Sequence, residues 1–257
     1  MREPKSILIT GASSGIGAAL AQEYAAPGVH LWLGGRDLQR LEDIESACRA
    51  KGADAELHVA DVLDREALAD WIGLADDAAP LDLVIANAGV SAGTGHGGES
   101  ADQARRIFAI NVDGVVNTVQ PALEIMLRRP NANPRGQIAL MSSLAAFRGF
   151  GGAPAYCASK AAVKSYAEAL RTAHARDGIE VSAICPGFVR TPMTDVNPYP
   201  MPLRVDAPRA ARTIRRGLAK NRGRIAFPWP LYATAWLLGT LPPGLSDAVI
   251  GRLPAKG

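Results

Sequence analysis

Three cysteines in 257 residues, Cys48, Cys157 and Cys185, are odd in number and lack any metal-ligand spacing. That argues against a disulfide framework and against a metal site, and Cys157 reads as a small buried filler. No run of 18 apolar residues is present, which argues against a helix spanning a bilayer. No apolar segment suited to a secretory signal precedes the first strand, so a cytoplasmic protein is the expectation. A formal net charge of +3 is too small to argue for nucleic acid as a partner. What the chain does have is apolar content, 48%, enough for a substantial core.

That content is organised. Short apolar runs at Ser6–Thr10, Val29–Leu33, Ala55–Ala60, Leu83–Ala86, Gln137–Met141, Glu180–Ile184 and Arg224–Ala226 read as strands. Helical stretches near residues 15–26, 37–50, 64–78, 101–127, 154–176 and 207–220 alternate with them. The alternation predicts an α/β fold, a doubly wound parallel sheet with helices on both faces. No repeat or low-complexity linker divides the series, so residues 1–257 are expected to form one domain.

Chemistry-bearing residues cluster just past the strand ends. After the first strand comes Gly11-Ala-Ser13-Ser14-Gly15-Ile16-Gly17. Glycines at a strand-to-helix turn bring backbone N–H groups close to a ligand, and the helix dipole favours a phosphate there. The spacing departs from the usual Gly-x-Gly-x-x-Gly, and a simple tight turn is the alternative. Further along, Tyr156 and Lys160 stand four apart, on one face of a helix, with Ser143 upstream. A phenol's pKa near 10 is too high for proton exchange at neutral pH, and a neighbouring cation lowers it. Such a trio can give a proton to a substrate oxygen or take one from it. Gly35-Arg36, Asp61, Asn87 and Pro186 close the remaining strand ends, the edge at which open α/β sheets bind ligands.

Taken together, Thr10 to Gly17, Asp61-Val62, Ala86-Asn87-Ala88-Gly89, Asn111, Ser142-Ser143, Tyr156-x-x-x-Lys160 and Pro186 to Thr191 resemble the short-chain dehydrogenase/reductase family in content and order. The resemblance covers about residues 5–192, with Ala86 departing from the asparagine of many relatives. It implies a Rossmann-like fold and an oxidoreductase that interconverts a carbonyl and a secondary alcohol, as a homodimer or homotetramer. It also implies a catalytic set of Asn111, Ser143, Tyr156 and Lys160. In that set Tyr156 is general acid or base, Lys160 lowers its pKa and binds the nicotinamide ribose, and Ser143 polarises the substrate oxygen. Asn111 would hold a water between Lys160 and solvent. For the cofactor, Gly11, Ile16 and Gly17 are expected at the pyrophosphate and Asp61 and Val62 at the adenine. Asn87 and Gly89 would flank the adenine ribose, and Pro186, Val189 and Thr191 the carboxamide. Arg36, with Ser13 and Ser14, favours NADP(H) over NAD(H), because Gly35 stands where an acid would repel a 2′-phosphate. A catalytically silent nucleotide-binding regulatory protein of the same fold is the alternative; loss of Tyr156 or Lys160 would mark it, and neither is lost.

The substrate is less constrained. Segment 192–208 reads as a substrate loop whose Met193, Tyr199 and Met201 suit an apolar small molecule or pack against the body. His96, in the Gly-rich stretch 91–99, reads as a solvated loop residue, and 128–135 as a polar surface turn. Residues 209–224 are rich in arginine, and 227–257 form an apolar C-terminal extension. A basic helix followed by an aromatic one can lie on a membrane surface, so peripheral contact through 209–241 stands beside a substrate lid or subunit interface.

Overall fold

The structure is a computed structural model describing residues 3–91, 98–129, 134–195 and 200–250. Its first half alternates strand and helix: β1 (Ser6–Thr10), α1 (Gly15–Tyr24), β2 (His30–Gly35), α2 (Leu38–Arg49), β3 (Asp54–Val59), α3 (Arg65–Ala78) and β4 (Leu83–Ala86). Short polar caps set the helix starts. The Asp37 carboxylate accepts from the Arg40 N–H and that of Asp64 from the Ala67 N–H, satisfying donors the first turn cannot pair. The second half holds α4 (Ala101–Phe108), a π turn (Ala109–Asp113), α5 (Gly114–Leu127), β5 (Gly136–Met141), a 3-10 turn (Leu144–Ala146), α6 (Pro154–Ala173) and β6 (Ile179–Pro186). After it come β7 (Val189–Arg190), α7 (Pro192–Asp195), β8 (Val205–Asp206), α8 (Ala207–Leu218), β9 (Arg224–Phe227), α9 (Trp229–Thr240) and α10 (Pro243–Ile250).

Seven strands form one parallel sheet in the order β3-β2-β1-β4-β5-β6-β9, and β7 pairs with β8 apart from it. β1 and β4 are buried along their whole length, which explains why they carry unbroken apolar runs instead of alternation. Against one face pack α1, α2 and α8 through Leu20, Leu41 and Ile214; against the other pack α3, α5 and α6 through Ile72, Val119 and Val163. The sheet is therefore doubly wound. The order of connections reverses between β1 and β4, which places a crevice at their carboxyl ends. Gly34 shows how tight the packing is: a Cβ there would lie 2.6 Å from the Trp71 ring.

Two differences from the sequence reading matter. The helix expected over 101–127 is broken by the π turn, which is compatible with an ordinary helical composition and so leaves no mark in the sequence. The basic and aromatic helices near the C-terminus do not share a surface, since α8 packs with α1 on one face of the sheet and α9 meets the opposite layer through Leu231 and Tyr232. Among the described residues no helix is long and apolar enough to cross a membrane. His96, Pro198 and Tyr199 lie outside the described residues, as do 130–133 and 251–257.

Candidate active site

The crevice at the carboxyl ends of β1 and β4 is a cleft of about 410 Å³. Thr10 closes β1 and sets its floor. Its Oγ1 accepts from the N–H groups of Asn87 and Ala88 at 3.1 and 3.3 Å, so the end of β4 is tied to the end of β1. Asn87 returns the tie, donating from Nδ2 to the carbonyls of Thr10 and Gly11 at 3.0 and 3.1 Å. Gly11 adopts a positive φ of 68°, and a Cβ on it would meet the Ala88 Cα at 2.8 Å. Only glycine fits there.

From this turn α1 leaves with its N-terminus at the cleft. Its N-cap, Ser14, makes no capping hydrogen bond with its side chain, and the first turn carries no acid. The open N–H groups and the positive end of the helix dipole suit an anion. Gly11, Ser13, Ser14 and Ile16 line the cleft. Gly17 does not; it stands behind the wall, where a Cβ would lie 2.2 Å from the Gly11 carbonyl oxygen. Its place in the site is to let the helix pack against the turn.

Arg36, Asp61, Val62, Asn87 and Gly89 line the cleft beyond β2, β3 and β4, and Pro186, Val189 and Thr191 line it on the β6 side. Val62 is fixed from behind, because Asn117 donates to its carbonyl at 2.9 Å and its side chain fills the space over Gly114. Next to Arg36 stand two lining residues that the sequence reading passed over, Asp37 and Arg40, paired with each other at 3.2 Å.

The far side holds the side chains able to exchange a proton. Tyr156, Lys160 and Ser143 all line the cleft. Lys160 is buried, donates to the Met141 carbonyl at 2.9 Å, and lies 5.8 Å from the centre of the Tyr156 ring. Burial pulls its ammonium down from 10.5 to about 8, because the charged form loses hydration. Ser142 holds the same helix by donating to the Lys160 carbonyl at 2.7 Å. The Ser143 Oγ faces the Pro186 carbonyl at 3.4 Å and accepts from the Ala145 N–H. Burial pushes the Cys185 thiol up to about 11, so it stays neutral.

Asn111 sits outside the cleft wall, fully buried in the π turn. Its amide exchanges two hydrogen bonds with the Val90 backbone, at 2.8 and 2.9 Å, and donates to the Ser159 Oγ at 3.0 Å. Ser159 in turn donates to the Tyr156 carbonyl at 2.8 Å. The π turn thus lets one side chain fasten the end of β4 to the helix carrying Tyr156.

This architecture coincides with a known family. The family model for short chain dehydrogenases matches residues 5–199. The chain belongs to the short-chain dehydrogenase/reductase family. Relatives of this dehydrogenase include an uncharacterised oxidoreductase of Myxococcus xanthus, 36% identical over 97% of either chain. Another is the meso-2,3-butanediol dehydrogenase of Serratia marcescens, 31% identical over 78% of this chain and 76% of that one. Its fold matches that of a Burkholderia phymatum family member solved in complex with NAD, with a TM-score of 0.83 at 26% identity over 100% of this chain and 99% of the other. It also matches a Sphingobium yanoikuyae dehydrogenase in complex with NADPH, with a TM-score of 0.79 at 24% identity over 96% of each.

One further residue of this dehydrogenase was missed from sequence. The helix α6 starts at Ala153-Pro154 with no side-chain cap of its own, and the Glu99 carboxylate supplies one from 56 residues away, accepting the Ala155 N–H at 2.9 Å. The missing Ser, Thr, Asp or Asn ahead of Pro154 was the signal that a cap had to come from elsewhere.

Proposed function

We propose that this oxidoreductase reduces a small-molecule carbonyl, or oxidises the matching secondary alcohol, with NADP(H) favoured over NAD(H) and Tyr156 as the proton donor or acceptor. The observation that carries the reading is the buried Lys160 ammonium beside the Tyr156 ring, in one cleft with the Ser143 hydroxyl.

The residues present fit a dinucleotide. The Gly11 turn leaves no side chain in the way, and the uncapped first turn of α1 offers donors for a pyrophosphate. Arg36 and Arg40 offer cations where a 2′-phosphate would lie, while Asp37 is engaged as the cap of α2 and as the partner of Arg40. A nicotinamide cofactor, when bound, supplies or accepts the hydride. Among proteins of the same fold, some are solved with NADPH and others with NAD.

Within that frame the protein's own groups handle the proton and the oxygen. Ser143 donates a hydrogen bond to the substrate oxygen and holds it toward the phenol. Tyr156 passes its proton to that oxygen as the carbon is reduced, and the charged Lys160 stabilises the phenolate that remains. Asn111 keeps the segment after β4, at Val90, and α6, at Ser159, in register, so that the phenol and the ammonium face the same space.

The test is NADPH and NADH consumption against aldehydes, ketones and diketones of graded size. The reading expects NADPH-dependent reduction of at least one class by the unmodified chain and none by Tyr156→Phe. Equal use of NADH would remove the cofactor assignment, and activity in the phenylalanine variant would remove the proton-transfer role.

A further inference from the structure

The C-terminal helices take no part in the wall that fits a cofactor, and no residue of α9 is fully buried. They nevertheless converge on one short element. The 3-10 turn Leu144–Ala146 begins at Ser143, whose Oγ receives the Ala145 N–H at 3.1 Å, and the Ala146 and Phe147 N–H groups close the turn at 3.1 and 3.2 Å. Whatever holds the far end of this turn also holds the serine hydroxyl.

At that far end stand Phe147 and Arg148. A Cβ on Gly239 would lie 2.3 Å from the Phe147 carbonyl oxygen, so α9 meets the turn backbone to backbone. The Phe147 ring meets Tyr232 edge-on at 5.4 Å, with the Lys164 ammonium 5.4 Å and the Arg224 guanidinium 5.2 Å from its centre. Arg148 forms an ion pair with Asp247 of α10 at 2.5 Å. At the near end Leu144 shares the space over Gly187 with Pro228 and Leu231. Both ends of one three-residue turn are therefore fastened by the same C-terminal segment, α9 with the preceding Pro228 and α10.

We infer that α9 and α10 clamp the serine turn, and that Gly239, Phe147 and Asp247 are positioning residues that set where the Ser143 hydroxyl stands. The clamp gives the apolar C-terminal extension a task in the chemistry without any contact with the cofactor.

The inference rests on the reading of Ser143 as the group that holds the substrate oxygen, and the test lets the two fail separately. Hydrogen–deuterium exchange on the full chain without substrate reads the clamp directly. Gly239→Val should speed exchange at the Ala146 and Phe147 amides by about tenfold or more, Asp247→Asn by less, with the β1 amides unchanged in both. Asp247 is two-thirds exposed, so its variant keeps the core intact and decides the matter if Gly239→Val fails to fold. Unchanged exchange at the turn in a folded Gly239→Val, or in Asp247→Asn where that alone folds, overturns the clamp. Turnover of whichever carbonyl the unmodified chain reduces should fall about tenfold to a hundredfold in Gly239→Val, with NADPH affinity unaltered. The same change made in a Ser143→Ala background should add no further loss, because it acts through that hydroxyl. A full additional loss there overturns the positioning role. If no carbonyl is reduced at all, the functional reading fails while the exchange result still judges the clamp.

Discussion

The two sides of the cleft are built by different means. The side that fits a dinucleotide is made largely of backbone and small residues at strand ends: the Gly11 turn, the first turn of α1 and the ends of β2 to β4. The side that carries Tyr156 and Lys160 is positioned by side chains borrowed across the chain. Asn111 reaches Ser159 over 48 residues, and Glu99 caps α6 over 56. A backbone cradle tolerates little variation in shape, since its own tie from Asn87 to Thr10 and Gly11 is made to main-chain carbonyls. A borrowed constellation can be altered at many remote points, which lets the same cradle serve different substrates.

Substitutions can break this division or sharpen it, and the largest effect should come from the phenol. Tyr156→Phe should lower turnover by about 10²–10⁴, the range for a lost general acid, and leave NADPH binding measured by fluorescence essentially intact. A parallel loss of binding would mean that the two sides are not separable.

Lys160 should divide stability from activity. Its ammonium is depressed to about 8 in the fold against 10.5 when free, so between those values the unfolded chain holds more protons. Stability of the cofactor-free protein therefore rises with pH across that window, and below about 8 the penalty is present in full. Lys160→Met removes a penalty on the order of 3 kcal/mol. It should unfold at higher urea than the unmodified chain at pH 7, converge with it above about pH 10.5, and turn over nothing. Identical urea midpoints at both pH values would contradict this account of the burial.

Cofactor choice should move on the backbone side alone. Gly35→Asp with Arg36→Ala should shift preference from NADPH toward NADH by about tenfold or more, the worth of one charge-assisted phosphate contact, with kcat for the preferred cofactor retained. A side chain added at Gly35 would find Ser13 and Leu41 3.3 Å from its Cβ, close but yielding. No change in the NADPH-to-NADH ratio of kcat/KM would move the discrimination elsewhere, with Arg40 the next candidate.

The smallest effect should come from Glu99. Glu99→Ala should cost about 0.5–1.5 kcal/mol, read as a severalfold fall in kcat and a lower Tm, and Glu99→Gln should recover most of it, since an amide oxygen also accepts the Ala155 N–H. A glutamine variant as poor as the alanine one would show that the charge beside the α6 terminus matters more than the hydrogen bond.

What was legible in the sequence was what is local, on either side of the cleft. β1, Gly11 and the Tyr156–Lys160 pair are local: a buried strand, a turn that excludes side chains and an i, i+4 spacing each leave a pattern a few residues long. The strand ends were read to within about two residues, as fraying allows. The break at Ala109–Asp113 was not legible, because nothing in Ala-Ile-Asn-Val-Asp opposes an ordinary helix; the Val90 backbone that draws Asn111 inward is 21 residues away. Glu99 was missed for the same reason. The arginine-rich helix and the aromatic one were joined as neighbours in sequence, yet they are neighbours of opposite faces. In α8 the apolar stripe Ala210, Ala211, Ile214 and Leu218 announced burial, whereas α9 is apolar all round and carries no stripe to say which side faces in.

The π turn has a consequence for how this chain can vary. A five-residue turn is a helix carrying one surplus residue, and removing it would restore an ordinary helix without disturbing the strands on either side. The π turn absorbs that residue locally, so α5 beyond it would keep its buried face toward the core while the residues inside the turn change place. A one-residue deletion between Ala109 and Asp113 would thus leave the sheet and α5 as they are and displace or remove the amide that ties Val90 to Ser159, a change of site without a change of shape.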